Sequence, residues 1–80
     1  MFKVQFDSKS NKQYQKLETK IRFQYTLFFK RLELDPFIGK LSGNTYHAHV
    51  KYHWVLVWEV DKEKELVTIV YAGSREDAPY

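Results

Sequence analysis

Ala48-His49-Val50-Lys51-Tyr52-His53-Trp54-Val55-Leu56-Val57-Trp58-Glu59-Val60 reads as the centre of a β-hairpin. Side chains of a strand alternate between its two faces, so Tyr46, Ala48 and Val50 share one face while His47, His49 and Lys51 occupy the other. With Lys51, Tyr52 and His53 as a three-residue turn, the first set continues onto the face of Trp54, Leu56, Trp58 and Val60. A two-residue turn would break that match. The apolar face is expected to lie beneath helices. The opposite face carries His47 and His49 beside Val55 and Val57, with His53 at the turn and Glu59 further along.

Working outward, the hairpin strands run from Thr45 to Val50 and from Trp54 to Val60. The charged turn Asp61-Lys62-Glu63-Lys64-Glu65 leads into a third strand, Leu66 to Ala72. Upstream, the segment from Phe37 to Thr45, with Gly39 and Gly43, reads as a loop. Before it, Ile21, Tyr25, Phe28, Phe29 and Leu32 recur at helical spacing and predict a helix from about Thr19 to Leu34. Asp35-Pro36 ends it, because proline disfavours helical backbone in the residue before it. A shorter helix is expected from Ser8 to about Leu17, capped by Asp7 or Ser8, with Tyr14 and Leu17 on the same stripe as Ile21. Phe2-Lys3-Val4-Gln5-Phe6 alternates as a half-buried strand. The sum is an α+β fold of order β-α-α-β-β-β: two N-terminal helices packed on one face of a twisted antiparallel sheet, one domain over residues 1–80.

The 80 residues include six Phe, six Tyr and two Trp. Few positions therefore supply large buried areas, as a small core requires. With no cysteine, disulfides and thiolate metal sites are excluded and an oxidising compartment is not implied. The apolar runs fall far short of the roughly 20 residues that span a bilayer, and no signal peptide is recognisable, so a cytoplasmic location without membrane contact is expected. The net charge of +3 is unevenly spread: residues 1–34 hold eight Lys/Arg against three acids, residues 55–80 three against six. A basic half of this kind can meet a polyanion such as RNA, or can simply be solvated helix surface.

His47, His49 and His53 are the only histidines. Imidazole titrates near neutrality and is the commonest general acid or base; the bland alternative is an exposed strand whose histidines do nothing. A zinc site would need further ligands, and no recognisable second pair exists, so no metal or other cofactor is expected. The tail Gly73-Ser74-Arg75-Glu76-Asp77-Ala78-Pro79-Tyr80 follows the last strand without another apolar element, as a frayed end would.

Ala48-His49-Val50, then three residues, then Trp54 and an apolar run closed by an aromatic, resembles the central hairpin of YafQ-type toxins. Gly73-Ser74-Arg75 through Tyr80 resembles the ending shared by RelE and YafQ relatives. Leu41-Ser42-Gly43 resembles the Leu-x-Gly before their hairpin. The likeness spans essentially the whole chain. It implies a RelE-like fold and the toxin of a type II toxin–antitoxin system: a metal-independent ribonuclease that cuts mRNA, generally in the ribosomal A site, and is held inactive by a cognate antitoxin. His49 matches the family's hairpin histidine, Arg75 its tail Arg/His and Tyr80 its terminal aromatic. The chain departs from the family pattern at His53, where an aspartate is usual, and at Gly39-Lys40, where a histidine is often found.

Cleavage of RNA without metal needs a base for the 2′-hydroxyl, positive charge at the phosphorus and an acid for the departing 5′-oxygen. The resemblance implies His49, Arg75 and Tyr80 as catalytic residues, and the need for both a base and an acid adds His53 to the set. His49 and His53 would share the acid and base roles, Arg75 would grip phosphate oxygens, and Tyr80 is an alternative proton donor. Lys40, His47, Lys51 and Tyr52 would hold the RNA through phosphate contacts and stacking. Mono-functional readings stay open beside this one: a non-catalytic binding module on the same fold, or a ParE-type toxin directed at DNA gyrase, which has no need of the histidines. For either toxin an acidic, partly disordered antitoxin would wrap the basic surface, with affinity that falls as salt rises.

Overall fold

The computed structural model describes residues 1–80, in the order β1 (Lys3–Phe6), α1 (Ser8–Gln15), α2 (Thr19–Leu34), β2 (Lys40–Ser42), β3 (Thr45–Lys51), β4 (Trp54–Asp61) and β5 (Leu66–Ser74), closed by a single 3-10 turn at Arg75–Asp77. The five strands form one sheet in the order β1-β5-β4-β3-β2. Both helices lie on one of its faces.

Each helix begins and ends for a local reason. Asp7 caps α1, its carboxylate accepting the Ser10 N–H at 2.8 Å. The Ser10 hydroxyl, fully buried, donates to the Ile69 carbonyl of β5 at 2.6 Å, tying α1 to the sheet. Helix α2 buries Tyr25, Phe28 and Leu32, spaced three and four apart on one stripe. It stops at Asp35 before the buried Pro36, whose carbonyl accepts the Trp58 indole N–H at 2.8 Å. The core joins these three α2 residues to Leu56, Trp58, Val67, Ile69 and Ala72, with Tyr46, Ala48, Val50, Trp54 and Val60 packed around them. The apolar face read from parity is therefore the face under the helices.

Four features differ from the sequence reading. The sheet is mixed: β1 runs parallel to β5, with Lys3 opposite Leu66 and Phe6 opposite Ile69. A chain that leaves β1 through two helices can come back in the same direction, which a tight hairpin cannot do. The hairpin turn between β3 and β4 has two residues, Tyr52 and His53, because Lys51 pairs with Trp54. The slip that a shorter turn imposes is absorbed by a bulge at Val50, which keeps Tyr46 opposite Trp58 and Ala48 opposite Leu56. Within the expected loop, Lys40–Ser42 forms a short edge strand on β3, its turn passing through Gly43 at a φ of +62°. Finally, β5 continues to Ser74, with a second bulge at Val70 that re-phases Tyr71 against Val57.

Candidate active site: a basic groove on the uncovered sheet face

The face away from the helices is built from a row across three strands, with His47 of β3 opposite Val57 of β4, which is opposite Tyr71 of β5. Val55, Val57 and Tyr71 are buried here, with Val70 and Ala78 packed against them. The tail is thus folded onto this face. Several bonds hold it: the Arg75 N–H donates to the His53 carbonyl at 2.7 Å, the Ala78 N–H to the Arg75 carbonyl at 3.3 Å, and the Tyr71 hydroxyl to the Ser74 carbonyl at 2.7 Å. A Cβ on Gly73 would stand 2.9 Å from the Tyr71 hydroxyl oxygen, so glycine is what lets that ring lie under the exit of β5. From the helix side, the Tyr25 hydroxyl donates to the carbonyls of Val55 (2.7 Å) and Gly73 (3.3 Å), bracing the same exit.

The tail delivers Tyr80 onto His47. Their rings stack with centroids 3.8 Å apart and planes 11° apart. Beside this pair a cavity of about 480 Å³ is lined by Ile38, Gly39, Lys40, His47, Ala48, His49, Arg75 and Tyr80. Lys40, Arg75 and two imidazoles face it, and no Asp or Glu side chain does, which suits a phosphodiester. Lys40 enters because β2 pairs it opposite His47. Gly39 allows that approach: a Cβ there would lie 2.5 Å from the Trp58 ring and 2.7 Å from the His47 carbonyl oxygen.

The two histidines differ. His49 is exposed, whereas His47 is half-buried and its Nδ1 has no hydrogen-bond partner. Burial holds the His47 imidazole below its ordinary range, and the positive charge of Lys40 and the neighbouring His49 push it the same way. All three causes favour the neutral ring. Burial also raises the Tyr71 phenol, with Asp77 and Tyr80 adding to the effect.

Of the eight residues singled out in the sequence, five converge on the groove: Lys40, His47, His49, Arg75 and Tyr80. His53 does not line it. It sits at the hairpin turn with its ring 4.5 Å from that of Trp54, and it serves the site through its backbone carbonyl. Lys51 and Tyr52 line a separate depression against α2. No three His, Asp or Glu side chains converge as metal ligands. Sequence reasoning missed Tyr71 and Gly39, and gave His47 a holding role. The signal for His47 was its shared parity with His49; what lay beyond reach was the folded-back tail.

No family model matches the chain, and neither does any curated protein. Solved structures do. The Escherichia coli RelBE toxin–antitoxin complex matches at 25% identity over 92% of this chain and 96% of that one, with a TM-score of 0.84. A mutant E. coli RelE toxin in the free state matches at 26% identity over 96% and 86%, with a TM-score of 0.85. The RelE–RelB complex of Pyrococcus horikoshii, at 17% identity, shares the fold over 96% and 98% with a TM-score of 0.77.

Proposed function

This chain belongs to the RelE/ParE-like toxin superfamily, and from that premise we propose that it is the toxin of a type II toxin–antitoxin pair, an endoribonuclease that cuts mRNA on the ribosome by general acid–base catalysis without metal. The observation that carries the reading is the convergence of Lys40, His47, His49, Arg75 and Tyr80 on one groove lined by no Asp or Glu side chain.

The residues divide the work by their environments. His47, whose surroundings favour the neutral ring, takes the proton of the 2′-hydroxyl. The 2′-oxygen then attacks phosphorus, a new O–P bond forms and the bond to the 5′-oxygen breaks. His49 donates the proton that the departing 5′-oxygen needs, leaving a 2′,3′-cyclic phosphate and a 5′-hydroxyl. The two histidines are two residues apart on one strand face, with Cα atoms roughly 6.5–7 Å from one another, a spacing that lets the two side chains address the two apical oxygens of an in-line displacement. Arg75 grips the equatorial oxygens with its planar fork as charge builds there. Lys40 holds a flanking phosphate, and Tyr80, swinging from His47, offers its ring to a base. The acid–base pair is thus His47 and His49 in place of His49 and His53.

The partners follow from the same reading: mRNA and the ribosome as substrate, in the cytoplasm, and a cognate antitoxin that neutralises the groove. The structures above include a RelBE toxin–antitoxin complex and a RelE–RelB complex, which supports an antitoxin partner here. The decisive experiment is to induce the chain in cells and map new mRNA 5′ ends. Cuts in register with codons, each carrying a 5′-hydroxyl, are expected. Growth arrest without new ends, or ends unchanged in a folded His47→Ala, His49→Ala variant, would overturn the assignment.

A further inference from the structure

On the helix side of the same hairpin lies a second depression of about 350 Å³, lined by Lys20, Ile21, Phe23 and Gln24 of α2 and by Lys51 and Tyr52 of the β3–β4 turn. Three observations make it unlike ordinary surface. Tyr52 is 77% exposed and Phe23 58% exposed, two large rings in water on one small rim. Tyr52 also holds a φ of +54°, in the left-handed region where a two-residue turn prefers glycine, asparagine or aspartate and a bulky ring is out of place. The Lys51 ammonium lies 5.4 Å from the Tyr52 ring centroid, and Lys20 faces the same space with no carboxylate in the lining.

An exposed ring beside two ammonium groups and an amide is the chemistry that takes a nucleotide: the ring stacks a base, the amines meet phosphates and the amide reads a base edge. A groove for a partner's amphipathic helix would be a row of apolar anchors, and half of this lining is Lys and Gln. The position fits a strand of RNA too. Tyr52 lies three residues beyond His49, roughly 10 Å along β3, and the turn is tied to the catalytic tail through the bond from Arg75 N–H to the His53 carbonyl.

We propose that this depression is a second, non-catalytic nucleotide subsite, in which a base of single-stranded RNA stacks on Tyr52 between the rim ring of Phe23 and Ile21 while Lys20 and Lys51 hold its phosphates. It rests on the ribonuclease reading only for the identity of the polymer. RNA leaving the groove past His49 turns over the hairpin tip and is gripped again on the far side.

The test is to titrate the isotope-labelled full chain with a 2′-O-methyl hexanucleotide of alternating uridine and adenosine, which cannot be cleaved. Amide shifts of Phe23, Gln24 and Tyr52 are followed separately from those of His47, His49 and Arg75. Both sets should move. Tyr52→Ala should weaken binding roughly 5- to 100-fold, the range for one stacked base, Tyr52→Phe should restore it, and neither should lower the melting temperature because the ring is exposed. Movement of the Tyr52 set alone would uphold the subsite and remove the catalytic groove. Movement of the groove set alone would overturn the subsite, and silence in both sets would overturn both. Equal binding by wild type and Tyr52→Ala, or shifts with an acidic leucine-containing peptide but not with the oligonucleotide, would make the depression a protein contact and reject the proposal.

Discussion

Leu56 and Trp58 leave strand β4 toward the helices, Val55 and Val57 leave it toward the tail, and all four are buried. Their covers differ. On the helix side, Tyr25, Phe28 and Leu32 of a regular helix close over Trp58, with Phe28 and Tyr46 rings against the indole. On the other side the cover is a single 3-10 turn and three further residues, held by a few hydrogen bonds and one stacked ring pair. Regular structure satisfies its own backbone and can be dry; an irregular cover leaves polar groups that face water or a ligand. The larger core thus lies on one face and the candidate site on the other. Substitutions should separate the two.

The largest effect is expected at Trp58→Ala. It removes the biggest fully buried side chain and strands the Pro36 carbonyl, and it should cost about 3–5 kcal/mol, read from the denaturant midpoint. That is a large part of what a domain of this size holds in reserve. An unshifted midpoint would mean that the helix face is not where the stability lies.

On the other face, Arg75→Ala and His49→Ala should each slow cleavage roughly 10²–10³-fold, the scale for one electrostatic or acid–base group, while leaving the midpoint where it was. Arg75→Lys should recover only part of the rate, since lysine keeps the charge and loses the fork. A midpoint that falls together with the rate would break the division.

Gly39→Ala bridges the two faces. Its methyl group would meet the Trp58 ring at 2.5 Å, an overpacking worth about 1–3 kcal/mol, and by displacing Lys40 it should also weaken RNA binding. Loss of both properties in one variant is the expected result; loss of neither would show that the segment before β2 yields freely.

The histidines give a smaller, pH-dependent signature. His47 has a folded pKa below the ordinary 6.5, so between the two values the unfolded chain binds more protons than the folded one. Stability from this group is complete above pH 6.5 and falls as pH drops through that window to the folded value. Denaturation series against pH should show this slope, and His47→Gln should flatten it. The rate should likewise hold at pH values where an unshifted imidazole would already be charged. The smallest effect is a gain: Tyr52→Asn relieves a bulky residue at positive φ and should stabilise the chain by roughly 0.5–1 kcal/mol, seen as a raised melting temperature.

Local physics explains which features could be read before the structure. The α2 stripe of Ile21, Tyr25, Phe28 and Leu32 and the parity of Tyr46, Ala48, Leu56 and Trp58 are short-range patterns, and both reappear in the core. The bulges at Val50 and Val70 are single-residue slips without a compositional mark. They fooled the turn length while sparing the faces. The β1–β5 pairing joins residues more than sixty apart, and β2 is three exposed residues with no alternation to read. The site was legible in its residue types, and five of eight candidates meet. His47 lines the groove and His53 does not, a difference in place that only the folded-back tail makes visible.

The parallel pairing of β1 with β5 sets an order of events during synthesis. Chains emerge N-terminus first, and Lys3–Phe6 has no partner strand until Leu66–Ile69 has been made. Arg75 and Tyr80 come later still. A growing chain can form its helices and the β3–β4 hairpin, yet it lacks the strand between β1 and β4 and every tail residue of the groove. Non-local closure of this kind is slow compared with helix or hairpin formation. If the target is the translating ribosome, the machine that makes this protein has already passed Tyr80 before the groove can close.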